Sequence, residues 1–210
     1  EPITIAPVTD KQDLTKDTKR VGEAAIREGK YGVFLLAGGQ ASRLGYDGPK
    51  GCYPATAIKE KTLFQLFAEK ILAASNYYET KIEFYVMLGE HNYQTSVEFF
   101  REHDYFGLDE KQVMFFKQQG KMPAMSFDGK LLLAKKSELF FAPNGTGDVY
   151  KSLQKADLFG RMQQKGVEII HYVQIDDALT QIADPYFVGY HIEEEADVTI
   201  NAVEKVDPDE

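Results

Sequence analysis

The sequence predicts an α/β protein built on a mostly parallel sheet with helices on both faces. Three observations carry that expectation. Short apolar runs of strand length alternate with segments whose apolar residues recur at helical spacing, the pattern of βαβ units. The runs are apolar throughout rather than every second residue, as strands buried on both faces are. The residues with chemical character follow directly after these runs, at the carboxyl ends of strands, where open α/β sheets bind ligands.

Taken in order, residues 10–30 read as a polar helix with a weak stripe of Val21, Ala24, Ala25 and Ile26, stopped near Gly29. Val33-Phe34-Leu35-Leu36-Ala37 reads as the first buried strand, and a loop runs from Gly38 to about Lys61. Leu63, Leu66, Phe67, Lys70 and Ile71 then recur at helical spacing behind Thr62, a suitable N-cap. Ile82 to Leu88 predicts the second strand, residues 92–104 a helix, and Val113 to Phe116 the third strand. Phe127-Asp128-Gly129-Lys130 before Leu131-Leu132-Leu133 reads as a small inserted hairpin. Gly147 to Gln164 predicts one helix, with Val149, Leu153, Leu158 and Met162 inward. Val167 to Ile175 and Val198 to Val203 read as two further strands. The expected organisation is an N-terminal helical segment over residues 1–30 and one α/β part over 31–210.

Composition narrows the function classes. The 210 residues are 43% hydrophobic with a mean hydropathy of -0.36, which suits one sizeable core. No run approaches the ~20 apolar residues of a membrane span, and the start shows no secretory leader. A membrane partner is therefore not expected. A single cysteine, Cys52, excludes an internal disulfide framework and fits a reducing, cytoplasmic setting. A net charge of -9 disfavours nucleic acid as a partner. His91, His103, His171 and His191 show no metal-ligand spacing and read as structural.

The loop after the first strand is the most informative stretch. Ala37-Gly38-Gly39 lets backbone N–H groups approach a ligand without interference from Cβ atoms. Arg43 adds a planar guanidinium suited to phosphate oxygens, and Lys50 adds a second cation on the rigid Pro49-Lys50-Gly51 turn. The spacing fits neither the P-loop nor the dinucleotide fingerprint. Glycines alone would describe an ordinary turn; glycines with Arg43 and Lys50 in register describe a phosphate site.

At this point the sequence resembles a known family. Leu35-Leu36-Ala37-Gly38-Gly39-Gln40-Ala41-Ser42-Arg43-Leu44-Gly45, followed by Gly48-Pro49-Lys50-Gly51, is similar to the UDP-sugar pyrophosphorylase superfamily. The likeness is greatest to the UDP-N-acetylglucosamine pyrophosphorylases and bacterial uridylyltransferases acting on sugar 1-phosphates. Members usually carry Gly-Thr where this chain has Ala41-Ser42. Three further segments extend the resemblance. Phe115-Phe116-Lys117-Gln118-Gln119-Gly120 with Met122-Pro123-Ala124 is similar to the uracil-reading segment, since a carboxamide donates and accepts at once. Register from the strand favours Gln118, and register from Pro123 favours Gln119. Asn144-Gly145-Thr146-Gly147-Asp148 resembles the second glycine loop, where acetylglucosamine-type members have Asp-Gly-Asn-Gly-Gly and glucose-type members Gly-His-Gly-Asp. Gln174-Ile175-Asp176-Asp177 with Ala183-Asp184-Pro185 resembles the block that follows; Asp184 reads there as a turn or cap.

The resemblance implies a Rossmann-like nucleotidyltransferase fold of the GT-A kind, continued in full-length members beyond the point where this sequence stops. It implies transfer of UMP from UTP to a sugar 1-phosphate, N-acetylglucosamine 1-phosphate ahead of glucose 1-phosphate. Arg43 and Lys50 would hold the triphosphate. Ala37, Gly38, Gly39, Gln118 or Gln119, Pro123, Gly145, Thr146 and Gly147 would enclose the nucleotide. Asp176, an acid at the end of a buried strand, would hold Mg²⁺. The rival from another class is a non-catalytic nucleotide-binding regulatory domain.

Overall fold

In a computed structural model, residues 9–143 and 146–203 are described. Helix α1 (Lys16–Arg27) leads into β1 (Tyr31–Leu36), then α2 (Leu63–Tyr78), β2 (Glu83–Leu88), α3 (Tyr93–Glu102) and β3 (Val113–Lys117). An antiparallel insertion carries β4 (Lys121–Pro123), β5 (Leu133–Lys135), β6 (Glu138–Leu139) and β7 (Phe141–Pro143). Then come α4 (Val149–Lys155), α5 (Leu158–Gln164), β8 (Ile169–Gln174) and α6 (Pro185–Glu193).

The sheet has the order β3-β2-β1-β8, and all three pairings are parallel. Side chains alternate across it. Val33 and Leu35, with Phe84, Val86 and Leu88, pack against Ile26 of α1, Phe64, Phe67 and Ile71 of α2, Phe100 of α3 and Val188 of α6. Phe34, Tyr85, Met87 and Phe116 face the other way, onto Val149 and Leu153 of α4 and Leu158 and Met162 of α5. Both faces of β1 and β2 are therefore covered, which is why those two strands lack polar alternation.

Local signals set most of the boundaries. The Thr62 hydroxyl accepts the Gln65 N–H at 3.2 Å, capping α2 as expected. Thr15 and Thr18 form a reciprocal cap that starts α1 later than residue 10, and Gly29 ends its turn with φ 76°. Asp184 caps α6 through Tyr186 N–H at 3.0 Å, with Pro185 in the first turn. That start signal stands in the sequence, although the segment was expected only as a turn or cap. Where α1 crosses α6, Gly22 and Gly189 face backbone directly: a Cβ on Gly22 would lie 1.9 Å from the Pro185 carbonyl oxygen.

Three expectations are corrected. The helix over Gly147–Gln164 is two helices, broken at Asp157, which takes the left-handed conformation (φ 53°) that a short polar side chain tolerates. The expected turn at Phe127–Lys130 forms, with Gly129 at φ 80°, but it tips a longer insertion whose ladders are β4–β7 and β5–β6. Residues 198–203 are not a strand: Val198, Ile200 and Val203 are 75%, 78% and 95% exposed. Alternating apolar residues make a strand only where an edge pairs with them, and among the described residues this segment pairs with none. Among the described residues no helix is long and apolar enough to cross a membrane.

Candidate functional site

The carboxyl ends of the four strands bring the unusual residues together. After β1, Ala37 is buried and its N–H donates to Met87 O at 2.9 Å, so the chain leaves the sheet late. Gly38 then passes the end of β2 so closely that a Cβ would stand 3.2 Å from Gly89 N. The loop doubles back on itself. Lys50 N–H donates to Gly39 O and Ala41 N–H to Gly48 O, each at 3.0 Å, and Gln40 pairs with Pro49 in an antiparallel bridge. Gly45, at φ 70°, closes the intervening turn that carries Arg43, whose side chain is exposed.

Asn92 is a support that sequence reasoning missed. It is buried, and its side-chain Nδ2 donates to Ala37 O at 3.2 Å and Gly39 O at 3.4 Å. Both carbonyls at the root of the glycine loop are thereby satisfied from the start of α3. An asparagine at a helix start reads as an ordinary cap, so nothing local marks this long-range role.

Lys50 and Asp176 meet although 126 positions separate them. The Lys50 ammonium lies 2.9 Å and 3.2 Å from the two Asp176 carboxylate oxygens. Its Cε lies 3.8 Å from where a Gly39 Cβ would be. The Asp176 side chain is 60% exposed, and such an open ion pair contributes little to stability. Both charges are therefore available to a ligand. Behind them, Lys70 donates to the carbonyls of Ala178 and Thr180 and pins the loop that follows Asp176. Burial holds its ammonium below the usual lysine range.

The two glutamines diverge. Gln118 N–H continues the sheet to Leu88 O at 2.8 Å, and its Oε1 lies 3.5 Å from where a Gly38 Cβ would be. Gln119 is exposed, and its Nε2 donates to Lys117 O at 3.3 Å. The Gln119 N–H donates to Ser152 Oγ at 3.0 Å, and Gly120 N–H donates to the buried Asp148 carboxylate. Pro123 is exposed in β4 opposite Phe141, on the insertion. Gly147 lies in the single helical turn Thr146–Asp148 with open space around it. Gly145 lies outside the described residues, and of Thr146 only the backbone turn is described.

A metal held here would meet the exposed Asp176 carboxylate. Among the described residues no group of three His, Cys, Asp or Glu side chains converges. Mg²⁺ does not need such a group: it commonly takes one or two carboxylates and completes its octahedron with water and phosphate oxygens. The exposed Asp176 at the rim of the sheet suits that donor set. The histidines serve the fold. His103 bonds Phe99 O, and His191 bonds Thr199 Oγ1. The Tyr31 hydroxyl accepts Ala183 N–H at 3.0 Å and shares a hydrogen bond of 2.7 Å with His171 Nδ1, and burial holds the His171 pKa below its ordinary 6.5. The buried Cys52 thiol is pushed up to about 12, which makes it a poor nucleophile.

Comparison with known proteins adds the following. The family described as UTP–glucose-1-phosphate uridylyltransferase matches residues 1–210. UDP-N-acetylglucosamine diphosphorylase 2 of Arabidopsis thaliana is 37% identical over 225 residues, covering 100% of this chain and 45% of its own. UDP-N-acetylglucosamine pyrophosphorylase of Saccharomyces cerevisiae is 34% identical over 218 residues, covering 99% of this chain and 46% of its own. The crystal structure of the Trypanosoma brucei uridine diphosphate N-acetylglucosamine pyrophosphorylase superposes with a TM-score of 0.79 at 32% identity, over 86% of this chain and 38% of that one. A Leishmania major UDP-glucose pyrophosphorylase shares the fold, with a TM-score of 0.73 at 18% identity over 91% and 38% of the two chains. The chain spans less than half the length of these relatives.

Proposed function

The chain belongs to the UTP–glucose-1-phosphate uridylyltransferase family, and from that premise we propose that it is the nucleotide-binding part of a cytoplasmic uridylyltransferase. The reaction is transfer of UMP from UTP to N-acetylglucosamine 1-phosphate. A phosphate oxygen of the sugar phosphate forms a bond to the α-phosphorus of UTP. The bond from that phosphorus to the bridging oxygen breaks, and pyrophosphate leaves with the electron pair. Residues 31–210 contribute the nucleotide side of this chemistry.

The observation that carries the proposal is the Lys50–Asp176 pair beside Gly39, at the adjoining carboxyl ends of β1 and β8. Such transfer needs alignment and charge neutralisation more than covalent help. Lys50 holds phosphate oxygens, exchanging its exposed carboxylate partner for them. Arg43, on the outer turn of the same loop, meets the distal phosphates. The N–H groups of Gly38 and Gly39 approach the nucleotide without Cβ obstruction. Gln118 reads the uracil edge ahead of Gln119, because its carboxamide borders Gly38 whereas that of Gln119 turns back to Lys117 O. Pro123, Gly145, Thr146 and Gly147 complete the nucleotide wall. Asp176 would hold Mg²⁺, which supplies Lewis-acid neutralisation of phosphate charge when bound.

Isothermal titration tests the nucleotide assignment. UTP should bind more tightly than ATP, and equal affinities would overturn the uridine reading. The acetylglucosamine preference rests on relatives of that name at 34–37% identity. Gly147-Asp148 favours a second reading, glucose 1-phosphate, by its likeness to the glucose-type loop. Pyrophosphate release with the two sugar phosphates side by side decides between them. For the metal, Asp176→Asn should leave the melting temperature unchanged and abolish the magnesium dependence of UTP binding. A lowered melting temperature with a normal magnesium titration would make Asp176 structural.

A further inference from the structure

The start of α4 grips the chain just beyond Gln118. Asp148 is only 2% exposed and accepts the Gly120 N–H and, at 3.1 Å, the Ser152 hydroxyl. That hydroxyl in turn accepts the Gln119 N–H at 3.0 Å. Ser152 is fully buried. Two successive backbone donors are thus held by one carboxylate–hydroxyl pair from a different element. On the other side, Gln118 N–H is held by Leu88 O. Gln118 is fixed from both directions, and its carboxamide stands against Gly38. The fit leaves no slack: a Cβ on Gly120 would lie 2.6 Å from the Asp148 carboxylate.

A carboxamide alone is a poor discriminator of bases. By turning over, it offers donor and acceptor to uracil, to cytosine and to the amino edge of adenine alike. What separates a pyrimidine from a purine is the distance at which the edge stands, because a purine is one ring longer. Selectivity then requires that the amide be unable to retreat. We propose that Asp148 and Ser152 are positioning residues that set nucleobase selectivity, by clamping Gln119 and Gly120 so that the Gln118 carboxamide is held at pyrimidine distance. This rests on the uridine reading of the site, and goes beyond it by naming the device that enforces the reading.

The test compares dissociation constants for UTP, ATP and inorganic triphosphate in the parent, Ser152→Ala, Asp148→Ala and Asp148→Asn, with melting temperatures alongside. Ser152→Ala should reduce the UTP-over-ATP ratio about tenfold through weaker UTP binding and leave triphosphate affinity unchanged. Asp148→Ala should do at least as much. Asp148→Asn, which keeps an acceptor oxygen for Gly120, should restore most of the ratio. A merely structural pair would lower the melting temperature and leave the ratio at its parent value in every folded variant, and that result overturns the proposal. Should Asp148→Ala fail to fold, Ser152→Ala and Asp148→Asn still decide. A parent ratio near one sinks the uridine reading together with this inference, whereas a high parent ratio unmoved by the variants sinks this inference alone.

Discussion

The two walls of the candidate site are held by different means. The wall after β1 is folded by its own backbone: Lys50 to Gly39, Ala41 to Gly48, and the bridge between Gln40 and Pro49 all close within a dozen residues. The wall after β3 borrows its shape from side chains 28 to 33 residues further on, through Asp148 and Ser152. A locally closed loop depends on glycine and proline, residues whose backbone preferences act wherever they stand. A remotely clamped one depends on α4 being docked, and loses its geometry if the clamp goes.

The largest effect should separate the charge on the first wall from its shape. Lys50→Ala should weaken UTP binding by about 1.5–3 kcal/mol, the value of a charge-assisted contact. Lys30→Ala should leave it unchanged, since Lys30 pairs with Glu28 and Glu168 below β1. Titrations that give parent affinity for both variants would remove the first wall from phosphate binding. Next, the contrast can be broken with two alanines. Gly120→Ala forces a Cβ against a buried carboxylate and should cost about 1–3 kcal/mol of stability, a loss of several degrees in thermal unfolding. Gly39→Ala meets only the flexible end of Lys50, at 3.8 Å, and should melt like the parent. Equal melting temperatures for the two would erase the distinction between local and remote closure.

Asn92 is the exception that sharpens the comparison, because it is a remote support under the locally folded wall. Asn92→Ala should cost about 1 kcal/mol, read by chemical denaturation, since Ala37 O loses its side-chain donor while Gly39 O keeps the Lys50 N–H. An unchanged midpoint would mean that the wall needs no support from α3. The smallest effect lies outside both walls. Burial lowers the pKa of His171 from its ordinary 6.5. The unfolded chain then binds the proton more readily. The stability from a neutral His171 is full above about pH 6.5 and is lost as pH falls towards the folded value. The melting difference between the parent and His171→Gln should therefore shrink from pH 7.5 to pH 5. A difference independent of pH would show that His171 does not titrate there.

The contrast between the walls also explains what could be read from the sequence. The inner strands β1 and β2 were legible because continuous apolar runs identify doubly covered strands. The first wall was legible because its glycines, Pro49, Arg43 and Lys50 stand within 14 positions, and its backbone closes on itself within that stretch. The rule that ligands sit at strand ends pointed to both Lys50 and Asp176, but their ion pair was not legible, because it depends on β8 lying beside β1. The divergence of the Gln118 and Gln119 side chains was not legible, because it depends on which backbone α4 grips. Asp148 read as part of the second glycine loop, and 198–203 as a strand. Each reading was locally sound, and each was decided by a distant partner or by the lack of one.

The crossing of α1 and α6 at Gly22 and Gly189 also orders events in time. β1 pairs with β8 and meets it through Tyr31 and His171, 140 positions apart. Synthesis delivers α1 and β1 before β8 and α6. Until the later pair emerges, β1 has one open edge, and the face of α1 that will meet Pro185 and Gly189 has no seat. Contacts closed over such separations form slowly, so the nascent chain carries an unpaired apolar strand edge from the emergence of β1 until β8 follows it. That interval is when this protein is most exposed to strand-to-strand aggregation. It ends only when two glycines, far apart in sequence, let the first and last described helices touch backbone to backbone.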